Sequence, residues 1–153
     1  VHAELRGGKV ADVGTGAGFP GLPLAVVNSE RKFTLIDSNN KKVLFVAHAA
    51  RTLGLTNVTA VHARSEALFK GKPFDTVVAR AFAALPQLLK LVEPLCGPAT
   101  RVLAMKGKRP DDEIAAVTPA WRVIETHPLT VPGLDAERHV VIIERAPIAP
   151  IEA

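Results

Sequence analysis

Short apolar runs alternate with stretches of helical periodicity along most of this chain. Val10–Val13 and Phe33–Asp37 read as buried strands, as do Val58–Ala63, Phe74–Arg80 and Arg101–Met105. Leu22–Val27 predicts a short helix, with Pro20 or Pro23 tolerated in its first turn. Ser38, Asn39 and Asn40 are cap candidates for a helix running through Leu53 and closed by Gly54. Within it Val43, Val46, Ala47, Ala50 and Leu53 recur at helical spacing, so this face is expected to pack on a sheet. Leu85, Leu88, Leu89, Val92 and Leu95 mark a third helix that stops around Pro94 and Gly97. Pro110–Val117 predicts a short fourth, with acids in its first turn where the helix dipole favours them. Trp121–Leu129 and Arg138–Glu144 read as closing strands, joined by the turn-rich stretch Pro132–Asp135. Val1–Arg6 reads as the end of an earlier helix, Gly7-Gly8 as a turn, and the tail over 146–153 as frayed.

Strand and helix alternate through the fifth strand, which predicts a parallel sheet with right-handed crossovers. The final pair of strands comes as a near-hairpin and places one antiparallel strand near the edge. The expectation is therefore a single α/β domain over 1–153 with a seven-stranded, Rossmann-like sheet. At 153 residues and 48% hydrophobic composition, such a domain can bury about two-thirds of its unfolded surface. The net charge of +4 fits a polyanionic partner and an ordinary soluble protein equally well. Cys96 is the sole cysteine, so no internal disulfide or cysteine-based zinc cluster can form, which fits a reducing cytoplasm. No apolar run approaches the ~20 residues of a membrane span.

The chemistry gathers where the first strand ends. Gly14, Gly16, Gly18 and Gly21 follow it, and Asp12 lies two residues before the first of them. A strand running through a glycine-rich turn into a helix is how open α/β sheets meet a nucleotide-like ligand. Two readings fit. Gly16-x-Gly18-x-x-Gly21 matches the dinucleotide fingerprint, while Asp12-x-Gly14-x-Gly16-x-Gly18 matches the loop of class I S-adenosylmethionine (SAM) methyltransferases, whose sheet has the seven-stranded plan above. In either reading Asp37, at the tip of the second strand, can accept hydrogen bonds from ribose hydroxyls; the alternative is a helix cap. Phe19 walls a cofactor pocket or belongs to the core. Ser65 and Glu66, after the third strand, lie where an adenine edge would be met, or simply begin a helix.

Arg80 ends the buried fourth strand, where its cation projects into the ligand crevice unless a neighbouring acid pairs with it. Lys106 ends the adjacent strand and forms, with Lys108 and Arg109, a basic cluster suited to phosphate. The fourth strand's tip reads Ala79-Arg80-Ala81-Phe82 and lacks the Asn/Asp-Pro-Pro-aromatic motif that holds an exocyclic amine. Cys96, at a helix end, is misplaced for attack on a pyrimidine. A ring nitrogen with its own lone pair needs neither device, and no strong general base, once it is aligned with a sulfonium methyl group. The five histidines, His2, His48, His62, His127 and His139, show no metal-ligand spacing and read as structural. Trp121 and most of the six phenylalanines read as core, with Phe82 the one candidate to stack on a base.

The stretch from Asp12 to Leu24, with its Gly18-Phe19-Pro20-Gly21 loop, resembles the signature of the glucose-inhibited division protein B family. Leu35 to Ser38, Ser65-Glu66, Arg80 to Ala83, Lys106-Gly107 and Glu137 to His139 match in order, so the resemblance spans roughly residues 9 to 145. It implies a bacterial, SAM-dependent enzyme that forms 7-methylguanosine in 16S ribosomal RNA, acting on that RNA or a small-subunit assembly intermediate. It implies SAM contacts from Gly14, Phe19, Ser65, Glu66 and Arg80, with Arg80 and Lys106 facing the incoming guanine. No obligate protein partner and no membrane are expected. The resemblance implies a helical amino-terminal segment as well, which is expected to be missing from this chain. An NAD-dependent oxidoreductase and a noncatalytic nucleoside-binding module are the competing readings.

Overall fold

The computed structural model describes residues 2–63, 73–80, 83–107, 110–117, 119–129 and 138–146. Seven strands, β1 (Lys9–Val13), β2 (Lys32–Asp37), β3 (Val58–His62), β4 (Phe74–Arg80), β5 (Cys96–Lys106), β6 (Trp121–Pro128) and β7 (His139–Arg145), form one sheet in the order β3-β2-β1-β4-β5-β7-β6. β7 runs antiparallel to both its neighbours, and the remaining pairings are parallel. The strand order reverses direction between β1 and β4, and in an open sheet the carboxyl ends of the strands flanking such a point form a crevice.

Among the described residues four helices, α1 (Gly21–Val27), α2 (Asn40–Thr52), α3 (Leu85–Val92) and α4 (Asp111–Ala115), cover the two faces. Successive side chains of a strand point to opposite faces, and the core divides accordingly. Val10, Phe33, Leu35, Val78, Leu103 and Ile142 pack with Leu22, Leu24 and Val46 of α1 and α2. Ala11, Val13, Val77, Ala79, Val102 and Val141 pack with Leu85, Leu88, Leu89 and Val92 of α3. The central strands are buried on both faces, which is why they read as unbroken apolar runs. Trp121 is in the core as expected.

Asn39 caps α2, its side chain accepting from the Lys42 amide. The expected inward face of α2 stops short: Val43, Val46 and Ala50 are buried, but Leu53 lies beyond the last turn and is 58% exposed. The phenylalanines divide differently from expectation. Phe33 is buried and Phe74 partly so, whereas Phe19 and Phe45 are exposed on the α1 and α2 side. β5 begins at Cys96 rather than Arg101. An irregularity in its pairing with β4 sets residues 97–100 against residue 75 alone, three extra residues, and the Thr100 hydroxyl, donating to the Phe74 carbonyl, holds the offset. The fourth helix spans Asp111–Ala115, shorter than the 110–117 expected. The Pro132–Asp135 turn and the tail beyond 146 lie outside the described residues.

Beneath α1, the Asn57 side-chain amide donates to the carbonyls of Ala25, Asn28 and Arg31 and so ties the α1–β2 connection to the start of β3. Asn57→Ala leaves these acceptors without that donor and is expected to cost about 1–3 kcal/mol. Urea unfolding checks this as a lower midpoint at an unchanged m value.

Candidate functional site

β1 delivers the chain to the crevice at Val13, and Gly14, Gly16 and Gly18 then turn it back with φ of +69°, +60° and +97°. Left-handed backbone is the reason for glycine here, and space is a second reason. A Cβ on Gly16 would come within 2.8 Å of Arg80 Nη2, and one on Gly18 would overlap the Leu22 side chain.

A glycine-rich turn offers bare backbone to a ligand, but here the loop engages most of its own amides. The Gly14 and Thr15 amides donate to the Ile36 carbonyl at 2.9 and 3.0 Å, and those of Gly18 and Phe19 donate to the Thr15 carbonyl. The Gly16 amide donates to Asp37 Oδ2 at 2.8 Å. Asp37 is therefore the strut that joins the tip of β2 to the glycine turn; its Oδ1 accepts from the Asn39 amide at the start of α2. Each carboxylate oxygen accepts more than one hydrogen bond, so these contacts leave it capacity for a ribose hydroxyl.

The amino terminus of α1 is closed in the same way. Asp12 faces α1, and its Oδ2 accepts from the Gly21 amide at 2.9 Å and the Thr15 hydroxyl at 2.7 Å. The Leu22 amide donates to the Gly18 carbonyl, and prolines at 20 and 23 have no amide hydrogen to offer. Asp12 is thus a buried brace rather than a residue at the crevice mouth, because its strand parity turns it under the helix. Its Oδ1 is buried without a hydrogen-bond partner among the described residues. Burial pushes its carboxyl up to about 7, aided by Asp37 and opposed by Thr15, the Gly21 amide and the Arg80 guanidinium.

Above the loop lies a cleft of about 430 Å³, within the range of small-molecule sites. Gly14 bounds it on the β1 side; Arg80, Met105 and Lys106 follow across β4 and β5; Gly107, Leu129, Arg138 and His139 complete it. Arg80 is exposed and makes no ion pair or hydrogen bond among the described residues. The acid that the sequence allowed as a partner for Arg80 belongs instead to Lys106. Its Nζ lies 2.7 Å from Glu113 of α4 and donates to the Ala83 carbonyl at 2.9 Å, and the same Glu113 oxygen accepts from the Leu85 amide. Lys106 is on the α3 face of the sheet by strand parity, so it braces the β4–α3 connection while still lining the cleft.

The structure therefore brings Gly14, Arg80 and Lys106 to one cleft and places Asp12, Gly16, Gly18 and Asp37 in the turn that supports it. Phe19 is 54% exposed, outside the core and outside the lining of the cleft. Ser65, Glu66, Phe82, Lys108, Arg109 and Glu137 lie outside the described residues. Cys96 sits at the amino end of β5, remote from the cleft, and burial pushes its thiol up to about 12, which leaves it inert. Sequence reasoning missed Glu113, whose only signal was an acid in the first turn of a short helix. It also grouped His139 with the structural histidines, although His139 lines the cleft. No helix among the described residues is long and apolar enough to cross a membrane.

Residues 2–141 match the family described as rRNA small subunit methyltransferase G. The ribosomal RNA small subunit methyltransferase G of Marinobacter nauticus is 47% identical over 135 residues, covering 88% of this chain and 63% of that protein. The protein of the same name from an Azoarcus species is 46% identical, covering 90% of this chain and 65% of its own length. The chain thus spans just under two thirds of these relatives. Among solved structures, TrmN from Thermus thermophilus superposes with a TM-score of 0.74 at 22% identity, covering 94% of this chain and 46% of that one. TrmK of M. capricolum, solved with S-adenosyl-homocysteine, gives 0.73 at 14% identity, covering 94% and 65%. At such identities the structural likeness carries the fold alone.

Proposed function

This chain belongs to the rRNA small subunit methyltransferase G family, and from that premise we propose that it transfers a methyl group from SAM to guanine N7 of bacterial 16S ribosomal RNA. The observation that carries the cofactor choice is the closed amino terminus of α1. A dinucleotide places its pyrophosphate against free amides there. Here that position holds a carboxylate, Asp12, and the Gly21 and Leu22 amides are already engaged. A second anion would meet the ionised carboxylate and no free amide at this helix end, which counts against the NAD reading.

The residues that would hold SAM are Gly14, Gly16 and Gly18, whose missing side chains let a ligand approach the turn closely, Asp37 through its remaining acceptor capacity, and Arg80. Phe19 is proposed as an apolar wall, Ser65 and Glu66 as contacts to the base. When bound, SAM supplies an electrophilic methyl group on a sulfonium centre. The protein's part is to bring the nucleophile close, align it and exclude water, which can lower a barrier by several kcal/mol. Guanine N7 attacks with its own lone pair, so no strong general base is needed beside Arg80 and Lys106. Arg80, without a partner among the described residues and fork-shaped, suits bidentate binding of a phosphate or of the guanine O6 edge. The substrate is proposed to be 16S RNA, free or in a small-subunit assembly intermediate, in the cytoplasm.

The test is incubation of the full chain with SAM and either naked small-subunit RNA or small subunits, followed by mass-spectrometric mapping of the modified base. The proposal expects 7-methylguanosine at one position. Binding of NAD without binding of SAM would overturn the cofactor, and binding of SAM with no methyl gain by either RNA would leave the noncatalytic module. Lys106 is proposed as an RNA contact through its third ammonium hydrogen. Lys106→Met is expected to weaken RNA binding and to flatten its salt dependence by at most about one phosphate contact. An unchanged slope would confine Lys106 to its bracing role.

A further inference from the structure

The side chains that line the cleft are rich in hydrogen-bond donors. Arg80, Lys106 and Arg138 are cations that can only donate. His139 is the one strong side-chain acceptor among the described lining residues, and its ring is fixed. His139 Nδ1 lies 2.9 Å from the Gly107 carbonyl, a group that can only accept. Nδ1 must therefore carry the hydrogen, and in the neutral ring Nε2 is left with a lone pair. The register sets the height of this acceptor: His139 pairs with Lys106 across β5 and β7, at the level of the strand ends that form the cleft.

We propose that His139 is a specificity-determining residue whose Nε2 accepts a hydrogen bond from the exocyclic 2-amino group of the target guanine, an inference that rests on the guanine-N7 reading above. The 2-amino group and N7 lie at opposite ends of the purine. The glycine turn and His139 likewise lie at opposite ends of the cleft, on β1 and β7, three strand spacings or roughly 14 Å apart. A base that turns N7 towards the glycine turn directs its 2-amino edge towards β7. Arg80, Lys106 and Arg138 present only donors to that edge, and His139 supplies an acceptor for it. Adenine carries no amino group at that position, so the same contact favours guanine over adenine although both have an N7.

The test uses RNA carrying either guanosine or inosine, which lacks only the 2-amino group, at the mapped target position. The preference is read as kcat/KM for methyl transfer and, without any methyl donor, as Kd by fluorescence anisotropy. Wild type is expected to prefer guanosine about 10- to 100-fold, the scale for a site group left without its partner. His139→Asn keeps a donor for the Gly107 carbonyl but has nothing at the Nε2 position, and its preference is expected to fall to near one in both readouts. His139→Phe, which keeps the volume of the ring, is expected to do the same. Both RNAs are read with one protein preparation, so a loss of folded enzyme cancels. A wild type without preference, or a variant that keeps the wild-type preference in either readout, overturns the inference. A wild type that binds both RNAs and methylates neither overturns the methyltransferase reading, and this inference with it.

Discussion

Arg80→Ala is expected to lower methyl transfer by about 100-fold or more and to leave cooperative unfolding close to wild type. The guanidinium sits at the carboxyl end of β4, beside the strand-order reversal, and Arg80 is exposed at the cleft it lines. It makes no hydrogen bond or ion pair among the described residues, so its truncation breaks no tether among them. Its donors are available to the ligand, and a charge-assisted contact made to a reacting complex is worth roughly 3–4 kcal/mol, or two to three orders of magnitude in rate. Arg80→Lys keeps the charge without the planar fork and is expected to recover only part of the loss. Single-turnover methylation measures the effect, and near-normal turnover by Arg80→Ala would remove this residue from the mechanism. The fold is best compared at pH 5, because Arg80 also eases the ionisation of Asp12.

The layout of this site could be read before any coordinates. Apolar runs located the strands, and the placement of Gly14, Asp37, Arg80 and Lys106 at strand ends followed from alternation with helices, since parallel strands put their carboxyl ends on one side. What the sequence hid was which polar group meets which. Lys106 and Glu113 are brought together by the packing of α3 and α4, and nothing in local spacing reveals that Glu113 also takes the Leu85 amide. The fate of the loop amides was equally hidden, because their acceptor is the Ile36 carbonyl on a different strand. Strand parity did carry unused information. Val10 and Asp12 share a face, as do Ala104 and Lys106, so the first carboxylate had to lie under α1 and the lysine on the side of α3. Leu53 misled because periodicity continues past the last turn whether or not the sheet does. His139 was hidden by its chemistry, since one imidazole can brace a strand or face a ligand with the same sequence signature.

Asp12→Asn is expected to change how stability depends on pH more than any other single substitution at this site. Burial holds the carboxyl at about 7 in the folded chain, against its ordinary value of 3.8. Below pH 4 it is protonated in both the folded and the unfolded chain and contributes no pH dependence. Between pH 4 and 7 the folded chain binds the extra proton, so stability falls as pH rises, and the loss is complete once the folded group ionises. Three units correspond to about 4 kcal/mol. Asparagine keeps an oxygen for the Gly21 amide and the Thr15 hydroxyl and never ionises, while its amide hydrogens replace the buried, unpartnered Oδ1 at a cost of about 1–3 kcal/mol at all pH values. The free-energy difference between variant and wild type should therefore climb in the variant's favour by about 4 kcal/mol from pH 4 to pH 8, as read from urea unfolding series. A flat difference across that window would mean that the ionised carboxylate is already at ease beneath α1, and the argument that a second anion is unwelcome there would lose its electrostatic half. The engaged amides would remain, so the pH series and the NAD titration test separate parts of the same exclusion.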